Sequence, residues 1–157
     1  MRRLAAILAF LTLSALSTGS AAGSEYLDIK DVTMHLDGDN ATFELNYTLD
    51  TFTRFYVTAL GCRYLEKELT SFLGGYSDVV LEKADIDGAC LQVVGAGKYN
   101  SGYYLFDSTP FGSKEKPLKE SIAQFSVVYP GGRVRTFYNV TATQNVFSQA
   151  AKPPATH

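Results

Sequence analysis

Cysteine and histidine are the side chains best able to act as nucleophile, base or metal ligand near neutral pH. This sequence has two of each: Cys62, Cys90, His35 and His157. A hydrolytic triad needs a nucleophile beside a positioned base, and a zinc site needs several nitrogen or sulfur ligands. His35 stands in the outward phase of an alternating segment and His157 is the last residue, so both read as isolated side chains. Asp37-Gly38-Asp39-Asn40 begins like a calcium loop. Ala41 and Thr42 then occupy the places where that loop needs an oxygen ligand and a glycine. Asp85-Ile86-Asp87-Gly88 is turn chemistry of the same kind. Gly95-Ala96-Gly97-Lys98 lacks the spacing of a phosphate loop, because Tyr99 follows Lys98. The sequence thus assigns no catalytic, cofactor-binding or metal-binding residue. Glycosidase carboxylates are recognised by their distance in space, so a hydrolase built from carboxylates alone stays open as an alternative.

Three further sets of residues have chemical potential. Two cysteines in an exported chain favour a bridge. A Cys62–Cys90 disulfide would close a loop of about 29 residues and stabilise by roughly 3–4 kcal/mol through chain entropy. Facing argues the other way: Cys62 falls in the apolar stripe of a helix, whereas the preferred hairpin register sets Cys90 beside Glu82 and Gln92. Bridge and free thiols both stand at this point. Asn40-Ala-Thr42, Asn46-Tyr-Thr48 and Asn139-Val-Thr141 are glycosylation acceptors in a host that modifies them, and Asn46 and Asn139 lie in outward strand phase. Tyr99, Tyr103 and Tyr104 are candidates for stacking on a sugar or peptide, in competition with a role as hairpin and core filling.

The N-terminus carries an export signal. Arg2 and Arg3 precede an apolar run, Leu4 to Leu16, that is too short to span a bilayer comfortably. Small residues follow, with Ser20 and Ala22 at −3 and −1 of a cleavage site. Residues 1–22 are therefore read as a signal peptide and the chain as secreted or cell-surface. No cysteine follows the run, so lipoprotein anchoring is excluded. About 135 residues remain, one ordinary domain. Loss of Arg2 and Arg3 takes the net charge from −2 to −4. That balance, with no basic run, argues against a nucleic-acid partner. No second long apolar run provides a membrane span in the mature chain.

These side chains must be positioned by strands and one helical segment. Phe43, Leu45, Tyr47 and Leu49 alternate with polar residues, and Val32, Met34 and Leu36 form a matching set. The phase slips at Lys30-Asp31, which predicts a bulge, and Asp37–Asn40 is the connecting turn. Thr51–Leu73 reads as helix, capped by Asp50 and stopped by Gly74-Gly75. Phe52, Phe55, Tyr56, Ala59 and Leu60 form one apolar stripe, and Cys62, Leu65, Leu69, Phe72 and Leu73 form another, about 100° away. Both must reach one core, which predicts a kink or break at Gly61.

A second hairpin joins Val79–Lys83 to Ala89–Val94 through Ile86-Asp87-Gly88, with Gly88 in the left-handed position. Tyr103–Phe106 is a short strand and Thr109–Glu120 a polar loop. A last hairpin turns at Gly131-Gly132, setting Tyr129 opposite Val134, Val127 opposite Thr136, Phe125 opposite Tyr138 and Ala123 opposite Val140. Residues 148–157 read as a disordered tail, leaving a single domain over 23–147. The fold class is α+β: an antiparallel sheet built from hairpins, with the broken helix of about 51–73 packed on it.

The runs Tyr99-Asn-Ser-Gly-Tyr-Tyr-Leu-Phe-Asp107 and Thr136-Phe-Tyr-Asn-Val-Thr-Ala-Thr143 resemble those of small exported proteins of methanogenic archaea. The resemblance implies export and a setting in which the acceptors can be used, and it implies no activity. The leading expectation is an exported, non-enzymatic domain that acts at the cell exterior through binding or assembly, with a cell-envelope protein or glycan as partner and no cofactor. The alternatives are a small-ligand or glycan-binding domain with an aromatic-lined pocket, and the carboxylate-only hydrolase.

Overall fold

The computed structural model describes residues 26–151. The signal segment 1–22 and residues 152–157 of the tail lie outside the described residues. The fold is α+β, with a mixed six-stranded sheet, a three-stranded antiparallel sheet and two short helices.

β1 (Leu27–Asp37) and β2 (Asn40–Leu49) form the first hairpin, with Asp37 opposite Asn40 and Gly38 at φ 59° in the turn. The register shifts between Ile29 and Asp31, so the slip in hydrophobic phase is a bulge at Lys30. Val32, Met34, Leu36, Phe43, Leu45 and Tyr47 all point into the core.

Asp50 opens α1 (Thr51–Leu60) by accepting a hydrogen bond from the Thr53 amide at 2.6 Å. Gly61, at φ 91° and ψ 161°, ends it; a 3₁₀ turn (Cys62–Leu65) and α2 (Glu66–Phe72) follow. The break is where the change of stripe places it. Leu65, Leu69, Phe72 and Leu73 are buried as the second stripe requires. The first stripe is not: α1 turns Thr53 and Val57 inward and leaves Phe52, Phe55, Tyr56 and Leu60 exposed. Helical periodicity identifies an apolar face without identifying what it faces, and α1 reaches the rest of the fold chiefly through the end of β2 and the 3₁₀ turn.

In the second hairpin, β3 (Val79–Ala84) and β4 (Gly88–Val93), Ala89, Leu91 and Val93 are buried on one face as the alternation predicts. The connection differs. The loop is Asp85-Ile86-Asp87, Gly88 already belongs to the strand opposite Asn46, and a shift between Leu81 and Lys83 absorbs the extra residue. Gly88 has no positive φ; its hydrogen serves close approach instead, since a Cβ there would lie 3.2 Å from the Leu45 carbonyl oxygen.

The last hairpin, β7 (Ile122–Val128) and β8 (Val134–Val140), is one residue out of the expected register. Phe125 faces Phe137, Val127 faces Arg135 and Val128 faces Val134, so Tyr129 and Val134 lie on opposite sheet faces. The reason is Pro130. The Gly132 amide donates to the Tyr129 carbonyl at 3.0 Å, making a turn with Pro130 second and Gly131, φ 91°, third. The loop thus has three residues, Pro130-Gly131-Gly132, and not two. Val134 and Tyr138 are exposed as a consequence.

The six strands run in the order β3-β4-β2-β1-β7-β8. All neighbours are antiparallel except β1 and β7, which pair in parallel from Asp31–Gln124 to His35–Val128. A sheet built from hairpins alone is therefore incomplete by one long-range pairing. β5 (Lys98–Asn100), β6 (Tyr103–Phe106) and β9 (Val146–Gln149) make the second sheet, in the order β5-β6-β9. β9 corrects the tail boundary: Ser148 is buried and paired with Tyr104, so Ser148 and Gln149 belong to the domain. Phe106 and Val146 from this sheet, Phe111 from the polar loop and Phe72 from α2 complete a core on one side of the large sheet. The Phe72 and Phe111 rings stack with centroids 4.8 Å apart.

Candidate contact surfaces

The open face of the large sheet carries the thiol and histidine that chemistry would use. Cys90 alternates with buried Ala89 and Leu91, so it points away from the core. Its Sγ donates to Glu82 Oε2 at 3.4 Å, and Glu44 stands opposite it on β2. His35 Nε2 lies 3.4 Å from Glu44 Oε2, without hydrogen-bond alignment. The row Glu82–Cys90–Glu44–His35 is the wrong electrostatics for a nucleophile. Burial, and then the bond and charge of Glu82, push the Cys90 thiol up to about 11. Reactive cysteines sit among cations, which stabilise the thiolate. Among the described residues, no group of three His, Cys, Asp or Glu side chains could hold a metal ion.

Cys62 and Cys90 are both free. The bridge reading falls because Cys62 sits in the helical layer, near Tyr47 and Asp85, while Cys90 leaves the opposite sheet face. Burial pushes the Cys62 thiol up as well. The acceptor asparagines divide similarly. Asn46 and Asn139 are exposed, and Asn139 has φ 53°. Asn40 is half-buried, and its Oδ1 accepts the Gly95 amide at 3.0 Å. The two other glycine- and aspartate-rich loops are structural too. Gly97 donates to the Asp39 carbonyl at 2.8 Å, and a Cβ there would meet the Phe106 ring at 2.8 Å. Tyr47 Oη donates to the Asp85 and Gly88 carbonyls at 2.6 and 3.1 Å, which ties the Asp85–Asp87 loop to β2.

The three candidate stacking tyrosines are split by the sheet. Tyr99 pairs with Tyr104, rings edge to face at 5.5 Å, and Tyr103 points the other way. On its own side Tyr103 meets Phe147 at 6.0 Å, edge to face, beside Leu105. With Asn100 and Ser101 they line a shallow, open depression of about 350 Å³. Leu105 and Phe147 were not legible as surface residues. For Phe147 the signal is the alternation Val146-Phe147-Ser148-Gln149, which is too short to separate from the polar tail behind it.

A deeper depression, about 380 Å³, lies between α2, the start of β1 and the 109–121 loop. Asp28 and Glu68, two of the three acids that line it, are already engaged. Lys116 Nζ bonds Glu68 Oε1 at 2.6 Å, Tyr26 also hydrogen-bonds Glu68, and Lys30 holds Asp28. The Lys116–Glu68 bond pins the loop to the helix, whereas a glycosidase needs one carboxylate as an acid and a second as nucleophile or base.

A cluster of exposed apolar side chains stands on α1. Phe52, Phe55 and Leu60 are about 70% exposed, and the Phe52 and Tyr56 rings lie 4.8 Å apart, with Tyr64 at 6.4 Å from Tyr56. No protein-family model, curated protein or solved structure matches the chain.

Proposed function

We propose that the chain is an exported, non-enzymatic domain that works at the cell exterior by binding. The observation that carries this reading is the contrast between the two kinds of surface. Burial raises both thiols, Cys62 and Cys90, and Glu68 is tied up by Lys116, whereas large apolar side chains stand uncovered on α1. An exposed apolar cluster of this kind marks an interaction site. The apolar run after Arg2-Arg3 and the resemblance to exported archaeal proteins support an extracytoplasmic setting.

Fractionation of native cells tests the location. The chain should be found outside the cytoplasm, beginning near Gly23; an intact Met1 on a soluble cytoplasmic species refutes export. Sedimentation with isolated cell envelopes tests binding, and Phe52→Ser/Phe55→Ser should release the protein while His35→Ala leaves every property unchanged. Equal retention of the two variants refutes the reading.

The Tyr103–Phe147 pair favours a second reading, glycan binding on the outer face of the three-stranded sheet. Aromatic rings offer an apolar platform and Asn100 a hydrogen-bonding amide, the combination that sugar faces require. Chemical-shift mapping with oligosaccharides should move Tyr103 and Phe147; an unchanged spectrum dismisses it.

A further inference from the structure

The uncovered face of α1 has a charge to match its shape. Residues 51–65 contain Arg54 and Arg63 and no acid, bounded by Asp50 and Glu66, in a chain whose net charge is −2. By helical spacing Arg54 falls on the side of α1 away from Phe52, Phe55 and Tyr56, which is where an interfacial helix keeps its cations. The position in the chain matters as much. The Asp50 amide donates to the Tyr26 carbonyl at 3.1 Å, so the described chain begins beside the first turn of α1. Only residues 17–25 separate Tyr26 from the apolar run Leu4–Leu16. A stretch of that length spans at most about 30 Å. A run that enters a bilayer during export therefore delivers α1 to the same surface.

We propose that the face of α1 formed by Phe52, Phe55, Tyr56 and Leu60, with Tyr64 and the guanidinium groups of Arg54 and Arg63, seats the domain on an anionic lipid bilayer. This rests on the reading of the chain as a binding domain and names its partner. Phe and Leu enter the acyl boundary, tyrosine rings sit at headgroup level, and the two arginines meet lipid phosphates. A second copy of the chain fits less well. A ten-residue helix is about 15 Å long and 10 Å wide, far short of the roughly 800 Å² per partner of a stable interface.

The test uses residues 23–157, which keep every described core residue from Val32 to Val146 and lack the apolar run, alongside the full chain. Both are sedimented with protein-free vesicles of phosphatidylcholine, with and without phosphatidylglycerol. Residues 23–157 should bind the anionic vesicles, and added salt should weaken the binding. Phe52→Ser and Phe55→Ser should each weaken it about tenfold. Arg54→Gln/Arg63→Gln should remove the preference for anionic lipid, and Phe147→Ser should change nothing. Thermal melts of each variant check that it is folded. Failure of the folded domain to bind anionic vesicles, or binding indifferent to the two Phe substitutions, overturns the proposal. So does sedimentation equilibrium showing a dimer that the same substitutions dissolve, or binding by the full chain alone. If vesicle binding fails while cell envelopes still retain the protein through α1, the lipid partner is wrong and the binding reading survives.

Discussion

Replacing Gly61 by alanine separates a helix with a built-in break from a helix that merely contains a glycine. In a continuous helix, alanine is favoured over glycine by up to about 1 kcal/mol, and the substitution would stabilise. Here Gly61 is at φ 91° and ψ 161°, a region that side-chain-bearing residues enter at a cost of about 1–3 kcal/mol. A Cβ at this position meets nothing within 4 Å, so the cost is conformational and no clash confuses it. Alanine also stiffens the unfolded chain, which returns about 0.4–1 kcal/mol. The net expectation is a destabilisation of about 1–2 kcal/mol. For a domain of this size that lowers the melting temperature by about 3–10 °C. Differential scanning calorimetry measures the shift, and backbone chemical shifts across Leu60–Arg63 report whether the break persists. A higher melting temperature, with helical shifts running unbroken from Thr51 to Phe72, would refute the reasoning.

Alkaline pH should destabilise the fold: burial raises the Tyr47, Tyr26 and Tyr76 phenols, so above about pH 10 the unfolded chain ionises first. Cys90, held up to about 11, extends the loss to the window between about pH 9 and 11. The contribution of these groups is full below about pH 9 and falls above it; urea melts across this range should show the fall, and Tyr47→Phe should make it shallower. Denatured, unreduced protein should take two alkyl labels, and in the folded state Glu82→Gln should speed labelling of Cys90 at fixed pH; a missing label on denatured protein would contradict the free thiols. Lys116→Ala removes the 2.6 Å bond to Glu68, whose side chain is only 13% exposed, and should cost about 1–2 kcal/mol in denaturant melts. Faster amide exchange in residues 109–121 should accompany it, and an unchanged loop would show that the pair does not pin it.

Much of the architecture was legible because it is written locally. The Lys30 bulge, the Asp50 cap, the break at Gly61 and the buried face of β4 each follow from a few neighbouring residues. The misses share another cause. Pairing of β1 with β7 joins residues far apart in the sequence, and no period records it. Gly131-Gly132 alone reads as a two-residue turn, but the fixed φ of Pro130 makes a three-residue loop and moves every pair in the last hairpin by one. The α1 stripe is plain in the sequence yet faces outward, since apolarity alone does not say whether a face meets protein, lipid or water. The tyrosines at 99, 103 and 104 are close in sequence, but strand alternation sends Tyr103 to the opposite side.

The parallel pairing of β1 with β7 also sets the order of events for a chain emerging from a ribosome or a translocon. β1 is the first of the described strands to appear, yet it ends in the middle of the large sheet, with β2 on one side and β7 on the other. Until residues 122–128 have emerged, one edge of β1 has no partner, and the Phe125, Val127 and Ile122 side chains are missing from the core. Long-range closure of this kind is slow, and an open strand edge is prone to mispairing. The domain therefore stays unlocked until residues 122–128 have emerged, so its large sheet cannot be completed piecemeal as the chain appears.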